Sequence, residues 1–378
     1  MIMFAAVFGL AAWTYLLFFH HGFWKSDQRL PAKTAPLDQW PAVVAIVPAR
    51  NEAESIGQVA AALRAQNYAG AFRIIVVDDA SDDGTADIAR AATGKHALQV
   101  LTAPPLPAGW IGKLAALNAG LAEAGTPDYV LFTDADVVHP PATLSHLVSK
   151  AVNDKRDLVS LMVRLRCESF WERRLIPAFI FFFQMLYPFR AVNSDTSRVA
   201  AVAGGCVLLR HDALTRAGGL EAIRGNIIDD CALAGAVKKS GGRLWLGLTD
   251  TSHSLRRVDS LGPLWGMVRR TAFTQLRHSW ILLLCTVVGL ALVFLGPPLA
   301  VLTTPWHHTV PATVAGAFAW FFMSLAYAPT LIDYRRGPGA GLALPLIAAL
   351  YAAMTIDSAL AHLVRRGGSW KGRNYGPS

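Results

Sequence analysis

The sequence predicts an α/β domain on a mostly parallel sheet, held between apolar, membrane-spanning ends. Three observations point there. Strand-like and helix-like patterns alternate from residue 42 to residue 248; two acidic clusters, Asp78 with Asp79 and Asp134 with Asp136, each close an apolar strand-like run; and the remaining apolar excess gathers at both ends of the chain. Alternating strands and helices imply βαβ units on a parallel sheet. A carboxylate pair at the carboxyl end of such a strand faces the crevice where open α/β sheets bind ligands, and its obvious guests are a hard divalent cation and a nucleotide.

In chain order, residues 1–24 are almost uninterrupted apolar sequence. They lack a basic region before the apolar run, and residues 24–30 lack a small-residue cleavage pattern, so the segment reads as a retained amino-terminal transmembrane anchor rather than a secretory signal. Lys25, Arg29 and Lys33 follow it, which by the positive-inside rule puts the next domain in the cytoplasm. Residues 40–275 form that domain. Residues 42–47 are a β-branched run, 54–65 a helical pattern, 72–77 a strand, 85–92 a helix, 98–101 a strand, 113–124 a helix and 129–133 a fourth strand. The apolar run 200–209, a helix-like stretch at 230–239 and a strand-like one at 244–248 extend it.

Residues 176–189, with Phe179, Phe181, Phe182, Phe183 and Tyr187 fringed by Arg173, Arg174 and Arg190, suit either a helix lying in the membrane interface or a buried core helix. The carboxyl-terminal region, residues 281–364, holds two or three transmembrane or re-entrant segments. Residues 281–303, 311–332 and 341–364 each reach the roughly 20 residues a crossing needs, although Pro345 and Asp357 interrupt the last. Alternating crossings agree with the charges at Arg335 and Arg336 but put Arg365, Arg366, Lys371 and Arg373 outside, so residues 341–364 are either spanning, re-entrant or interfacial. The expectation is a multi-pass protein of the inner (plasma) membrane with its catalytic domain in the cytoplasm.

Only 16% of the 378 residues are charged, against about 25% in ordinary soluble domains, which excludes a plain soluble protein. The net charge of +9 has two readings, basic residues flanking membrane segments near anionic lipid or attraction of a phosphorylated substrate; no nucleic-acid partner is expected. Cys167, Cys206, Cys231 and Cys285 have no metal-ligand spacing and fall in segments where thiols stay reduced, so no disulfide is expected.

The chemistry sits in four short stretches. In VVDDASDDGT, from Val76, a strand-end carboxylate can accept hydrogen bonds from a nucleobase or ribose, or the stretch is a turn capping the next helix. In FTDADV, from Phe132, Asp134 and Asp136 can both reach one Mg²⁺ or Mn²⁺ shared with diphosphate oxygens; the alternative is a solvated acidic loop. Lys113 begins a helix after a loop rich in glycine and proline, where backbone amides and one ammonium can meet phosphate, or it is a plain surface lysine; the phosphate-loop spacing GxxxxGK[ST] is absent. Asp229 and Asp230, behind Ile227 and Ile228, are either a half-buried general base or helix caps. Arg269, Arg270, Gln275, Arg277 and Trp280 form either a basic membrane-flanking collar or a cationic clamp on a diphosphate.

In order and spacing, VPARNEAESIG, VVDDASDDGT, GKLAALNAG, FTDADV, GGCVLLR from Gly204 and DDCAL together resemble the membrane-bound inverting glycosyltransferases of the family 2 type. That resemblance covers residues 42–277 and implies a GT-A, Rossmann-like fold. One amino-terminal anchor, the RTAFTQLRHS stretch from Arg270 and a few carboxyl-terminal membrane segments are most similar to the hopene-associated glycosyltransferases and, more distantly, to ceramide glucosyltransferase. The resemblance implies that Pro48, Arg50, Glu52 and Asp79 line the nucleotide with Asp78 beside them, Glu52 and Asp79 contacting base or ribose. It further implies Lys113 at the diphosphate, Asp134 at the ribose or sugar-phosphate side and beside the metal, Asp136 on the metal, and Arg270, Gln275 and Arg277 over the diphosphate. Asp230 would be the catalytic base, since Asp230 and Leu233 match the DxxL half of the family's EDxxL pattern, with Asp229 in place of Glu. The family's QxxRW element is altered: Thr271 follows Arg270 and Met267 stands where Gln or Arg is expected, which puts a processive role in doubt.

The implied reaction moves a sugar from a nucleoside-diphosphate sugar, with inversion, to a hydroxyl of a membrane lipid, by resemblance a hopanoid or similar polar lipid. The alternatives are a processive polysaccharide synthase, a nucleotidyltransferase using the same carboxylates, and a non-catalytic membrane scaffold retaining the fold.

Overall fold

The computed structural model describes every residue except 32–34, 36, 365–368, 371–372 and 375–378. The expected charges at Lys33, Arg365, Arg366 and Lys371 therefore lie outside the described residues, and Arg373 is described in its backbone alone.

An apolar helix, α1 (Ile2–Phe18), leads through a 3-10 turn (Phe23–Lys25) into the sheet domain. There β1 (Val43–Ala49), α2 (Ile56–Arg64), β2 (Phe72–Asp78), α3 (Thr85–Ala91), β3 (Ala97–Thr102), α4 (Gly112–Glu123) and β4 (Tyr129–Thr133) alternate as the sequence pattern predicts. They are followed by β5 (Val137–Val138), α5 (Thr143–Asn153), β6 (Leu158–Arg164), α6 (Phe170–Leu186), α7 (Phe189–Asn193), β7 (Cys206–Arg210), α8 (His211–Arg216), α9 (Asp229–Lys239) and β8 (Leu244–Ser254). The sheet order is β3-β2-β1-β4-β7-β6-β8-β5. Strands β3, β2, β1 and β4 run parallel, β7 runs antiparallel to both β4 and β6, β6 is parallel to β8, and β5 is antiparallel to β8. Both β1 and β4 are buried at every position, because elements cover both faces of the sheet; such strands lose the alternation of a half-exposed one.

The chain goes from β1 to β2 on one side, while β4 lies on the other, so the order reverses at β1. Ligand crevices open at such a switch point, at the carboxyl ends of the strands. Pairing of β1 with β4 ends at Ile46 and Phe132, whereas pairing with β2 continues to Ala49. Pro48 lies beyond the last β4 partner, where a residue without an N–H costs no ladder bond.

Two sequence expectations change. The run 200–209 is not one element: residues 199–205 carry no strand, and β7 begins at Cys206. Residues 176–189 are not one element either: α6 ends at Leu186 and α7 begins at Phe189, and on α6 Leu175, Ile176, Ala178, Ile180 and Phe181 are buried. The Phe181 ring lies 5.0 Å from Tyr327 and Phe182 lies 4.9 Å from Tyr351. Through α6 one face of the sheet (Val44, Ile46, Ile75, Val77) and the apolar helices (Met323, Tyr327, Met354) share a single core; the opposite face packs α2 and α5 in a separate core.

Beyond the sheet come α10 (Leu261–Gln275), α11 (Trp280–Leu290), a π turn (Ala291–Leu295), α12 (Gly296–Leu302), α13 (Thr304–His307), α14 (Val310–Asp333) and α15 (Leu344–Leu363). Among the described residues three segments, Trp280–Leu302, Val310–Asp333 and Pro338–Leu363, are long and apolar enough to cross a membrane, while α1 is shorter. The π turn has a local cause. Pro297 has no N–H for the carbonyl of Val293, and the indole N–H of Trp13 on α1 donates to that carbonyl instead, at 2.9 Å. Gly9 packs against the Pro297 ring and Gly316 against its carbonyl, so α1, α12 and α14 meet through small residues as helices in lipid commonly do.

The last segment folds back. At the end of α14 the Asp333 carboxylate pairs with Arg29, and its carbonyl accepts from Arg164 at 2.6 Å. The 3-10 stretch Pro338–Ala343 then returns to Ser324 and Trp320, whose indole donates to Leu342 O at 3.2 Å. Ser324 lies nine residues before Asp333, about 14 Å along the helix. The other end of α15 is back beside the sheet domain, where His362 stacks on His278 with centroids 4.4 Å apart.

A methyl added at Gly316 would sit 2.6 Å from Pro297 O, whereas one at Gly289 meets nothing within 4 Å. Gly316→Val is therefore expected to destabilise the detergent-solubilised protein by about 1–3 kcal/mol, and Gly289→Val by much less, read as the difference in thermal unfolding midpoint.

Candidate active site

Four loops converge at the carboxyl ends of β1, β2 and β4. The loop after β1 is sewn to the loop after β2: Asn51 N–H donates to Ser81 Oγ (3.0 Å), Glu52 N–H to Thr85 Oγ1 (2.8 Å) and Ala53 N–H to Asp83 Oδ2 (2.9 Å). Arg50 donates to the carbonyl of Asp79 and lies 3.7 Å from its carboxylate. Asp78 and Asp79 are both buried. Asn51 and Ala80 have φ of +51° and +53°, a region non-glycine residues seldom adopt and one that gathers at functional loops. The same edge reaches the second acidic cluster, since Ser55 Oγ donates to Ala135 O at 2.9 Å. Pro48, Arg50, Glu52, Asp78 and Asp79 thus lie along one rim.

Opposite that rim, Lys113 at the start of α4 pairs with Asp134 at 2.8 Å and lies 3.8 Å from Asp229. Burial alone would lower its pKa, but the charges of Asp134 and Asp229 more than reverse this and hold the ammonium protonated. The loop at Gly204 closes the group: a methyl there would lie 3.4 Å from both Asp230 Oδ2 and Lys113 Nζ. That backbone is held from behind by His139, whose ring bonds Thr133 Oγ1 (2.8 Å) and Ser252 Oγ (3.0 Å), while Thr133 Oγ1 donates to Gly205 O at 3.0 Å. Burial pulls the His139 pKa down to about 4, keeping the imidazole neutral.

Asp229 and Asp230 open α9. Asp230 Oδ1 accepts the Cys231 N–H at 2.7 Å. Burial, and then the negative charge of Asp229, push the Asp230 carboxyl up to about 6, with Lys113 opposing. The Asp136 carboxyl accepts from Ser254 Oγ at 3.1 Å and is pushed up by burial and by Asp134. Two crowded carboxylates one residue apart suit a hard divalent ion shared with substrate phosphate. Among the described residues no group of three or more His, Cys, Asp or Glu closes around an ion, so a metal at Asp134 and Asp136 would need ligand oxygens as well.

The expected clamp residues separate. Arg270 lies on α10 within the field of Asp229, Asp134 and Asp230, and also of Arg256; Arg256, just after β8, also acts on Asp136 and is a cation that sequence reasoning missed. Gln275 turns instead to the hydroxyl of Tyr187, 2.5 Å away on α6. Arg277 is exposed in the turn after α10, with φ +52°. Helix α10 itself rests on α15. Asp357 accepts from the Trp265 indole at 2.7 Å and pairs with Arg269 at 3.1 Å. Ser358 Oγ donates to Arg269 O (2.5 Å) and accepts from Phe273 N (3.0 Å), so one hydroxyl bridges a backbone pair of the α10 ladder. The polar residues that interrupt the last apolar segment therefore hold the helix that carries Arg270.

Residues 44–218 match the family described as Glycosyl transferase family 2. The undecaprenyl-phosphate 4-deoxy-4-formamido-L-arabinose transferase of Pseudomonas paraeruginosa is 30% identical over 181 residues, 47% of this chain and 48% of that protein. A probable glycosyltransferase of Bacillus subtilis, YdaM, is 33% identical over 133 residues, 34% of this chain and 31% of that protein. The chain thus spans about half the length, or less, of these curated relatives. The mannosyltransferase PcManGT from Pyrobaculum calidifontis, solved in complex with GDP-Man and Mn²⁺, aligns over 96% of this chain and 99% of its own with a TM-score of 0.57 at 22% identity. The fold is accordingly GT-A-like, and the stretch similar to the family 2 model lies within its sheet domain.

A carboxyl whose pKa is raised on folding favours the protonated folded state, so its contribution to stability is present below about pH 4 and is lost as pH rises through about 6. Asp230→Asn is expected to unfold at a higher temperature than the parent protein at pH 8, by on the order of 1–2 kcal/mol, with the difference vanishing towards pH 4.

Proposed function

We propose that this protein is an inverting glycosyltransferase that moves a sugar from a nucleoside-diphosphate sugar to a hydroxyl on a membrane lipid. The observation that carries the reading is the convergence of Lys113, Asp134, Asp229 and Asp230 from three separate stretches beside the switch-point crevice. A scaffold would have no use for a half-buried carboxyl pushed up to about 6 by desolvation and by the charge of Asp229.

In this reading the rim from Pro48 to Asp79 takes the nucleoside, with Glu52 and Asp79 at base or ribose. Asp230 accepts the proton of the acceptor hydroxyl as that oxygen bonds the anomeric carbon from the face opposite the diphosphate. The carbon–oxygen bond to the diphosphate breaks in the same displacement, so the configuration inverts. Lys113, Arg270 and Arg256 meet the charge on the departing diphosphate. Asp136 and Asp134 would hold Mg²⁺ or Mn²⁺, which supplies further neutralisation of that diphosphate when bound.

The membrane setting supports a lipid acceptor, because the core under the crevice runs without a break into the apolar helices. Curated relatives named for undecaprenyl phosphate make a phosphate acceptor the competing case; a hopanoid or similar neutral lipid fits the acid pair at Asp229 and Asp230 better, since a phosphate would be repelled there and would need no base. The fold-back of residues 338–363 supports a re-entrant last segment in this reading, with α1, α11 with α12, and α14 as the crossings of an inner (plasma) membrane and the sheet domain cytoplasmic.

Purified protein supplied with UDP-glucose or GDP-mannose and either dioleoylglycerol or undecaprenyl phosphate is expected to glycosylate the alcohol and release nucleoside diphosphate. Transfer should rise with pH through about 6 as Asp230 ionises, and Asp230→Asn should lower kcat at least about 100-fold. Transfer to the phosphate alone would overturn the hydroxyl reading, and an Asp230→Asn variant of full activity would overturn the mechanism. For topology, single cysteines at His308, Arg335 and Leu363 are expected to label from outside, inside and inside respectively; outside labelling at Leu363 would make the last segment a crossing.

A further inference from the structure

Tyr187 ends α6, with its ring 5.3 Å from Phe183. Its hydroxyl accepts from Gln275 Nε2 at 2.5 Å, joining the carboxyl end of α6 to the carboxyl end of α10. On its other side the phenol lies close to Cys231, whose backbone N–H donates to Asp230 Oδ1 at 2.7 Å. A line of polar contacts therefore runs Gln275, Tyr187, Cys231, Asp230. The outer end of that line is apolar and open: Leu186 is 58% exposed, Trp280 46% and Ile281 75%, as side chains facing lipid would be. The inner end is the carboxyl group assigned above as the base.

Resting on the transferase reading, we propose that the Tyr187–Gln275 pair is the port through which the lipid acceptor's hydroxyl head reaches Asp230, with Tyr187 holding that head by its phenol. Gln275 then serves the acceptor rather than the diphosphate. The port lies between two helix ends anchored on different supports, α6 in the shared core and α10 on Asp357 and Ser358 of α15.

Tyr187→Phe keeps the ring and removes the phenol. With dioleoylglycerol as acceptor and UDP-glucose as donor, its acceptor KM is expected to rise about tenfold, the loss of one hydrogen bond, while the donor KM stays within twofold. Gln275→Leu, at an exposed site, is expected to shift the acceptor KM in the same sense and decides the matter if Tyr187→Phe does not fold. An unchanged acceptor KM in both, or equal shifts in donor and acceptor KM, overturns the port. Independently of turnover, p-benzoylphenylalanine at position 187 should photocrosslink to lipid in native membranes. Crosslinking to lipid with no transfer by the parent protein would defeat the transferase reading and leave the port standing; absence of crosslinking would defeat the port.

Discussion

The Lys113 ammonium is the fixed point of this molecule. It is the cation to which Asp134 from the end of β4 and Asp229 from the start of α9 turn, and the two carboxylates belong to segments 95 residues apart. Without it the acids would repel one another, and Asp230, already raised by burial and by Asp229, would be raised further. With it, one carboxyl stays near the pKa where proton acceptance is efficient. Asp136, pushed up by burial and by the charge of Asp134, is a second crowded carboxyl beside this pair.

That arrangement depends on supports that do not touch it. The neutral His139 bridges Thr133 and Ser252 behind the Gly205 backbone. Glu172, fully buried, accepts from the N–H groups of Glu168, Ser169 and Val258 and so ties the start of α6 to the loop before α10. A buried carboxylate met by several N–H donors is stable where an unpaired one is not. The membrane helices join the same frame: Asp333 binds Arg29 and Arg164, and Ser358 enters the backbone ladder of α10. Direct contacts therefore join the face that carries the candidate site to the apolar helices, and one of them supports the helix of Arg270.

Much of this was legible in the residues. The strands up to β4 and the helices between them follow from apolar runs closed by acids, glycine or helix caps, and the carboxylates Asp78, Asp79, Asp134 and Asp136 stand where a strand end puts them. Helix α5 and strand β6 were equally regular in pattern yet passed unread, because LVSLMVR carries no acidic signature at its end. Arg256 was missed since a lone arginine after a strand has no motif; only the loop from β8 to α10 turns it towards Asp136. Tyr187 was counted as one more aromatic of an apolar helix, and its phenol has meaning only beside Cys231.

The order of the motifs alone determined the fold class, the crevice and the identity of the acids, because local hydrophobic pattern and strand-end chemistry are properties of contiguous residues. Which acid meets which base, the antiparallel setting of β7, the division of Gln275 from Arg270 and the return of the last segment to the sheet domain were decided by tertiary structure. These include contacts between residues far apart in the chain, such as Gln275 with Tyr187 at 88 positions and Lys113 with Asp229 at 116, and no local pattern encodes a distance that only packing closes.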